Sequence, residues 1–420
     1  MKKIILSAVL VVICIAGISC KRPLAVSVSA SAEQSSAIDG VLKDFTKETG
    51  IKVVVNSLQG TAPQTISNIS GALNSQSSPD FVIFDLVWVP SFASASLLEP
   101  LDKYIQSSKF DTSVFFPNVF SSVDTREGVI IALPLTMDAG VVFYRKDAAE
   151  AYGLTNLPSS YKEISDYSRN VSKKIKSAGR GALLNNAYYA FQGSITEQTV
   201  CNFIEAAVSN GGGISVQNGK FVINTPQNKK ALEILSELIK SKVSSTKNYE
   251  LVKDEYIRAF FQQGGAFAVR GWASDISFHN SSVSLLKGKT AVYDVPSVIK
   301  GKSSPVAGGL HMAVAAKSVS KDNASRLALY LASKKVQKKL ALSGGITPSR
   351  ADVYSDAEII SMRPEYAVLP ALFSKAVLRP VDPRYPKASE IMQKYISAAL
   401  YGAYLPADAL IKCQAELDQI

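Results

Sequence analysis

Histidine is almost missing from this chain: His279 and His311 are the two among 420 residues. Neither stands in a Cys or Asp cluster at metal-ligand spacing, which argues against a His-ligated zinc or copper centre. No GxSxG elbow and no GxGxxG loop occurs. Gly288-Lys289-Thr290 looks like the end of a phosphate loop, but Val283 stands where the earlier glycine is required, so it reads as a surface turn. Cysteine is scarce too. Cys14 and Cys20 fall in the first twenty residues, leaving Cys201 and Cys413 beyond. In an exported chain that pair permits a disulfide, with two buried thiols as the alternative. Long apolar runs are also lacking: Ile4 to Ile18 covers fifteen residues, short of the ~20 a spanning helix needs. Blocks of like charge are absent. The net charge is +11, yet Lys and Arg are scattered, which argues against a nucleic-acid arm. The excess positive charge leaves open an attraction to an anionic membrane or an anionic solute.

What is present begins with a leader. Lys2 and Lys3 precede the apolar run, and Gly17-Ile18-Ser19-Cys20 follows it. This resembles a lipoprotein signal over 1–20, with Cys20 acylated as the new N-terminus. Several acyl chains would tether the remainder stably to a membrane. A composition 47% hydrophobic and 19% charged is that of a folded protein, and the length suits two domains.

From Ala25 onward strands and helices alternate, the mark of an α/β architecture. Lys52 to Val55 reads as a strand, as do Val129 to Leu133 and Gly140 to Tyr144. Phe81 to Phe84 is an unbroken apolar run of the kind buried on both faces of a sheet. Thr225-Pro226 is an N-cap with proline at the first helical position, and Ala231, Leu235, Leu238 and Ile239 continue a helical stripe. A helix from Asp322 would place Leu327, Leu331, Val336 and Leu340 on related faces. The run from Phe81 ends in Asp85, followed by Trp88. Ligands of open α/β sheets bind beyond the carboxyl ends of strands, so Asp85 is a candidate acceptor and Trp88 a candidate platform. Helix capping and core packing are their alternatives.

These residues, with Pro134 to Asp147, Phe191-Gln192-Gly193, Cys201 to Glu205, Gly264 to Trp272, Gly308-Gly309 and Arg379 to Tyr385, follow one another in register. In that order the chain resembles the extracellular solute-binding proteins for sugars, in the branch of trehalose/maltose-binding lipoproteins. The resemblance implies a two-lobed periplasmic-binding-protein fold of type II, each lobe a sheet flanked by helices. The first lobe would take 24–135 and 295–345, and the second 136–294 and 346–420, with a hinge near Pro134 to Asp138. It further implies ligand contacts by Glu33, Asp85, Asp138 and Arg379, ring faces from Trp272 with Trp88 in support, and close backbone approach at Gly308 and Gly309. Such a receptor needs no cofactor. It would act as a lipid-anchored monomer outside the cytoplasm, handing its solute to the permease of an ABC importer.

Some positions depart from that pattern. Leu310 stands where a tryptophan is usual, Ala273-Ser274 replace a proline and an aromatic, and Thr196 and Gln198 replace Tyr and Gly. Fewer aromatic platforms imply a smaller sugar, weaker affinity or another polar solute. Two rival readings are a glycosidase using Asp85 and Asp138, and a scaffold that has kept the fold and lost its ligand.

Overall fold

The computed structural model describes residues 22–420, except 59, 155, 187–188, 246–249, 251 and 344–345. The leader and the acylation site at Cys20 lie outside the described residues. Two separate five-stranded sheets divide the chain. In the first, Leu24–Val28 runs parallel to both Val53–Ser57 and Phe81–Asp85. Leu310–Val314 then pairs antiparallel with Phe81–Asp85 and with Leu133–Pro134. In the second, Asp138–Arg145 lies between Thr290–Tyr293 and Ala268–Trp272, and Tyr189–Ala190 extends it in parallel. Ala307–Gly308 also pairs with the start of Asp138–Arg145. This is the α/β, two-lobed architecture expected of the sequence.

The apolar run at 81–84 shows why the first sheet is covered on both sides. All four residues are fully buried. Phe81 and Ile83 join one core cluster, Val82 and Phe84 the other, as the two-residue period of a strand requires. Helix Ala32–Thr49 covers one face with Ile38, Val41, Leu42 and Phe45. It starts at a Ser31–Gln34 capping box and stops at Gly50, whose φ is 73°. Helix Pro226–Lys240 begins at its Thr225 cap and buries Ala231, Leu235, Leu238 and Ile239.

Three expectations change in detail. The strand foreseen over Val129 to Leu133 is two short ones, Val129–Ile130 paired with Thr125–Arg126 and Leu133–Pro134 paired with Leu310–Val314. The helix foreseen from Asp322 is two helices, Lys321–Leu331 and Lys334–Ser343. Ser333 sits between them, its hydroxyl accepting from the Val336 amide, and Leu327, Leu331, Val336 and Leu340 are buried regardless. The strand foreseen from Gly140 already begins at Asp138, because Ala307–Gly308 supplies a partner for its first two residues. Cys201 and Cys413 are buried free thiols, both pushed up to about 12 by burial. Among the described residues no helix is long and apolar enough to cross a membrane.

Candidate functional site

At one crossing between the two sheets the link is a single residue. Leu310 pairs with Asp85 in the first sheet and Gly308 with Asp138 in the second, so Gly309 joins them there, and 135–137 make another crossing between Leu133–Pro134 and Asp138–Arg145. Its φ is +135°, and a Cβ there would stand 2.5 Å from the Thr136 carbonyl oxygen. Only glycine meets both conditions without strain. Its own carbonyl accepts from the Leu86 amide at 3.1 Å, and the Leu310 amide donates to Thr136 Oγ1 at 2.7 Å. This crossing sets Asp85 and Asp138 on either side of the double glycine.

Asp85 ends its strand and accepts from the Val87 amide at 3.0 Å, which starts the turn Leu86–Trp88. Its carboxylate stays 41% exposed, so capping leaves it open to a ligand. Asp138 is 7% exposed, and its Oδ1 accepts from the Ala139 amide at 2.9 Å and the Ser274 amide at 3.2 Å. Burial pushes this carboxyl up to about 7, and the charge of Asp275 adds to the effect.

Trp272 closes the strand antiparallel to Asp138–Arg145, opposite Gly140. The Arg270 guanidinium lies 4.3 Å from its ring centroid. Gly308 packs so closely that a Cβ would meet Trp272 Cζ3 at 2.7 Å. Gly308→Ala is therefore expected to displace the indole and cost about 1–3 kcal/mol from overpacking. Urea midpoints measure the loss, and tryptophan emission reports the displacement. An unchanged spectrum would mean that the ring is not held by this contact.

Arg379 ties several of these groups together. Its Nη1 donates to Glu197 Oε1 at 3.0 Å, and its Nη2 reaches the Ala307 carbonyl at 3.3 Å and Asp85 Oδ1 at 3.5 Å. Glu197 is oriented in turn by Tyr385 Oη at 2.7 Å and by the Ser389 hydroxyl. Glu33 stands apart from this group, at the head of helix Ala32–Thr49. Its carboxylate approaches Arg258 Nη2 at 3.9 Å. Arg258 Nη1 donates to Asp275 Oδ1 at 2.8 Å, and Asp275 Oδ2 accepts from the Trp272 amide at 3.1 Å. Glu33 is thus joined to the tryptophan through two intermediates.

The structure therefore gathers Asp85, Asp138, Trp272, Gly308, Gly309 and Arg379, and links Glu33 at one edge. Trp88 is placed differently: it is 7% exposed and belongs to the hydrophobic core. His311 lies fully buried in the first sheet, its Nδ1 2.5 Å from Asp124 Oδ1. Sequence reasoning assigned no role to Glu197, Glu205, Arg258, Arg270 or Asp275. Arg270 and Glu205 form a buried pair at 2.6 Å beneath Trp272. Its signal in the sequence is Gly140, where a Cβ would overlap the Glu205 carboxylate. Two concavities lie elsewhere and include none of the expected site residues. One of about 620 Å³ adjoins Tyr104 and Tyr330, and one of about 330 Å³ adjoins the turn at Gly211 to Gly213.

The family model for bacterial extracellular solute-binding proteins matches residues 29–338. The chain belongs to that family. Among its relatives, a protein of Deinococcus radiodurans named as a probable ABC transporter-binding protein is 26% identical over 381 residues. That match covers 90% of this chain and 88% of the relative. The solved structure of maltose-bound MalE3 from T. maritima is 26% identical, with a TM-score of 0.83. It covers 94% of this solute-binding protein and 99% of that chain. An sn-glycerol-3-phosphate-binding periplasmic protein of Rhizobium meliloti is 25% identical over 147 residues, 34% of this chain and 33% of its own.

Proposed function

We propose that this solute-binding protein captures a sugar or a related polyol between its lobes and delivers it to the permease of an ABC importer, tethered outside the cytoplasm by acylated Cys20. The observation that carries the reading is the crossing at Gly309, which sets Asp85 and Asp138 on opposite sides and brings Trp272 beside them. Carboxylates accept from sugar hydroxyls while an aromatic face covers the C–H surface of a ring, and such sites fix small polar ligands. The likeness to a maltose-bound structure supports a sugar. Glu33, Asp85, Asp138, Trp272 and Arg379 would contact the solute directly, with Gly308 and Gly309 approaching it through their backbone. Trp88 would serve from the core beneath. In the same reading the lobe boundary expected at 295 moves to Gly309, because Ala307–Gly308 still pairs within the second sheet. Hinge motion about the crossings would convert ligand contacts into closure.

A thermal-shift screen of the purified protein against mono- and disaccharides and polyols tests this. A solute that binds only the folded state adds ~2.7 kcal/mol of stability at a hundredfold excess over its dissociation constant. We expect a higher melting point with at least one sugar, and no such rise in Asp138→Ala and Trp272→Ala. Failure of every sugar to raise the melting point would favour a scaffold that has kept the fold without its ligand. Turnover of a bound sugar would favour the glycosidase.

A further inference from the structure

The net charge of +11 and the partial likeness to a glycerol-phosphate-binding protein both suggest an anionic solute, but the charges around the cleft run the other way. The arginines beside the candidate site are already occupied. Arg258 spends Nη1 on Asp275 and points Nη2 at Glu33, and its guanidinium lies 4.6 Å over the Phe278 ring. Arg379 spends Nη1 on Glu197 and Nη2 on Asp85 and the Ala307 carbonyl. The Nε of each has no partner but is sealed from solvent. Arg270 is closed off beneath by Glu205.

The carboxylates outnumber these cations. Glu33 and Asp275 share Arg258, and Asp85 and Glu197 share Arg379. Among the described residues no ion pair holds Asp138. Its carboxylate and that of Asp275 sit at one turn, bound to the amides of Ser274 and Trp272. Arg258 already pairs with Asp275, so the carboxylate left without a cation beside the indole is that of Asp138, and such a pairing of carboxylate and ring is what an ammonium group favours, through charge and through the ring quadrupole. A phosphate there would meet like charges and no free guanidinium.

We propose that the site prefers an amine-bearing sugar to its uncharged counterpart and rejects the phosphorylated one, with Asp138 receiving the ammonium beside Trp272. This rests on the sugar-binding reading above. Calorimetric titration with three matched sets tests it: glucose, glucosamine and glucose 6-phosphate, then the galactose and mannose equivalents. The amino sugar is expected to bind about tenfold more tightly than the uncharged one, and the phosphate at least about a hundredfold more weakly. The amine preference should shrink as salt is raised. Asp138→Asn should abolish it while weakening the uncharged sugar less. Glu33→Gln, at an exposed position that does not threaten folding, should reduce it by a smaller factor. An uncharged sugar binding as tightly as its amine overturns the proposal, as does a phosphate binding best. If no member of any set binds, this inference falls, while the disaccharides and polyols of the thermal-shift screen still decide the sugar reading.

Discussion

Arg270→Met is expected to lower the unfolding free energy by about 3–5 kcal/mol, the usual consequence of leaving one member of a buried ion pair without its partner. Both side chains are 2% exposed. The guanidinium meets the carboxylate twice, Nη2 to Oε1 at 2.6 Å and Nε to Oε2 at 3.2 Å. Removing it strands Glu205 in the core, and the stacking on Trp272 is lost as well. The pair itself need not stabilise the fold, since two desolvated charges repay their hydration only in good geometry. The double variant Arg270→Met/Glu205→Gln is therefore expected to recover most of the loss. Gln is the better second change than Leu because the Val306 amide donates to Glu205 Oε1 at 3.1 Å, and a buried donor without an acceptor costs about 1–3 kcal/mol. Urea midpoints for the four proteins complete the cycle. A single variant as stable as the parent would mean that the pair contributes nothing to holding the fold.

The same pair supports Trp272 from beneath. Arg270 and Trp272 are two apart on one strand, so both project to the same side of the sheet. The guanidinium then supports one face of the indole. Glu205 comes from helix Glu197–Ser209, whose first residue also holds Arg379. One helix thus anchors two arginines, one beneath the tryptophan and one beside Asp85. Moving that helix would disturb the candidate site without touching any solute-facing atom.

Such couplings were not legible in the sequence, and the reason is distance along the chain. Glu205 and Arg270 are separated by 65 positions, Glu197 and Arg379 by 182. No local pattern connects them. Arg258 was equally silent, because a charged residue on a helix usually marks a solvated face. The local features were readable. An apolar run ending in an acid announced the strand Phe81–Asp85, and a proline after a threonine announced the helix at 226. The double glycine stood out through the resemblance, as a place where the backbone can approach a ligand with no Cβ between. Trp88 shows the limit of such reading: only the turn Leu86–Trp88 decides which way the indole points, and here it packs into the core. The crossing between the two sheets at Gly309 was hidden for a related reason, as the two-residue strand Ala307–Gly308 is too short to show a period.

Asp138→Asn is expected to stabilise the unliganded protein by up to about 4 kcal/mol above pH 7 and to leave it unchanged near pH 4. Burial holds the native carboxyl at about 7, against an ordinary value of 3.8. Between those values the native state keeps a proton that the unfolded chain has released. Unfolding free energy therefore falls as pH rises through the window, by about 1.4 kcal/mol for each pH unit between the two values. Above pH 7 the full cost of a buried charge is present. Asparagine removes it while its carbonyl oxygen still accepts from the Ala139 and Ser274 amides. His279 acts in the opposite sense: packed against Phe143 and Phe261, it is pushed down to about 4 by burial. The unfolded chain takes up that proton first, so stability is lost as pH falls from 6.5 through about 4. Asp254, held up to about 6 by burial and then by Asp275, works in the same sense as Asp138. Neither is altered by the substitution, so the difference between parent and variant isolates Asp138. Urea midpoints from pH 4 to 8 should show that difference opening steadily between pH 4 and 7. A constant difference would mean that Asp138 is ionised throughout, and a parent more stable than the variant at pH 8 would mean that its charge is paired. The same substitution is expected to weaken solute capture without abolishing it, because the amide keeps an acceptor for solute hydroxyls but loses the charge.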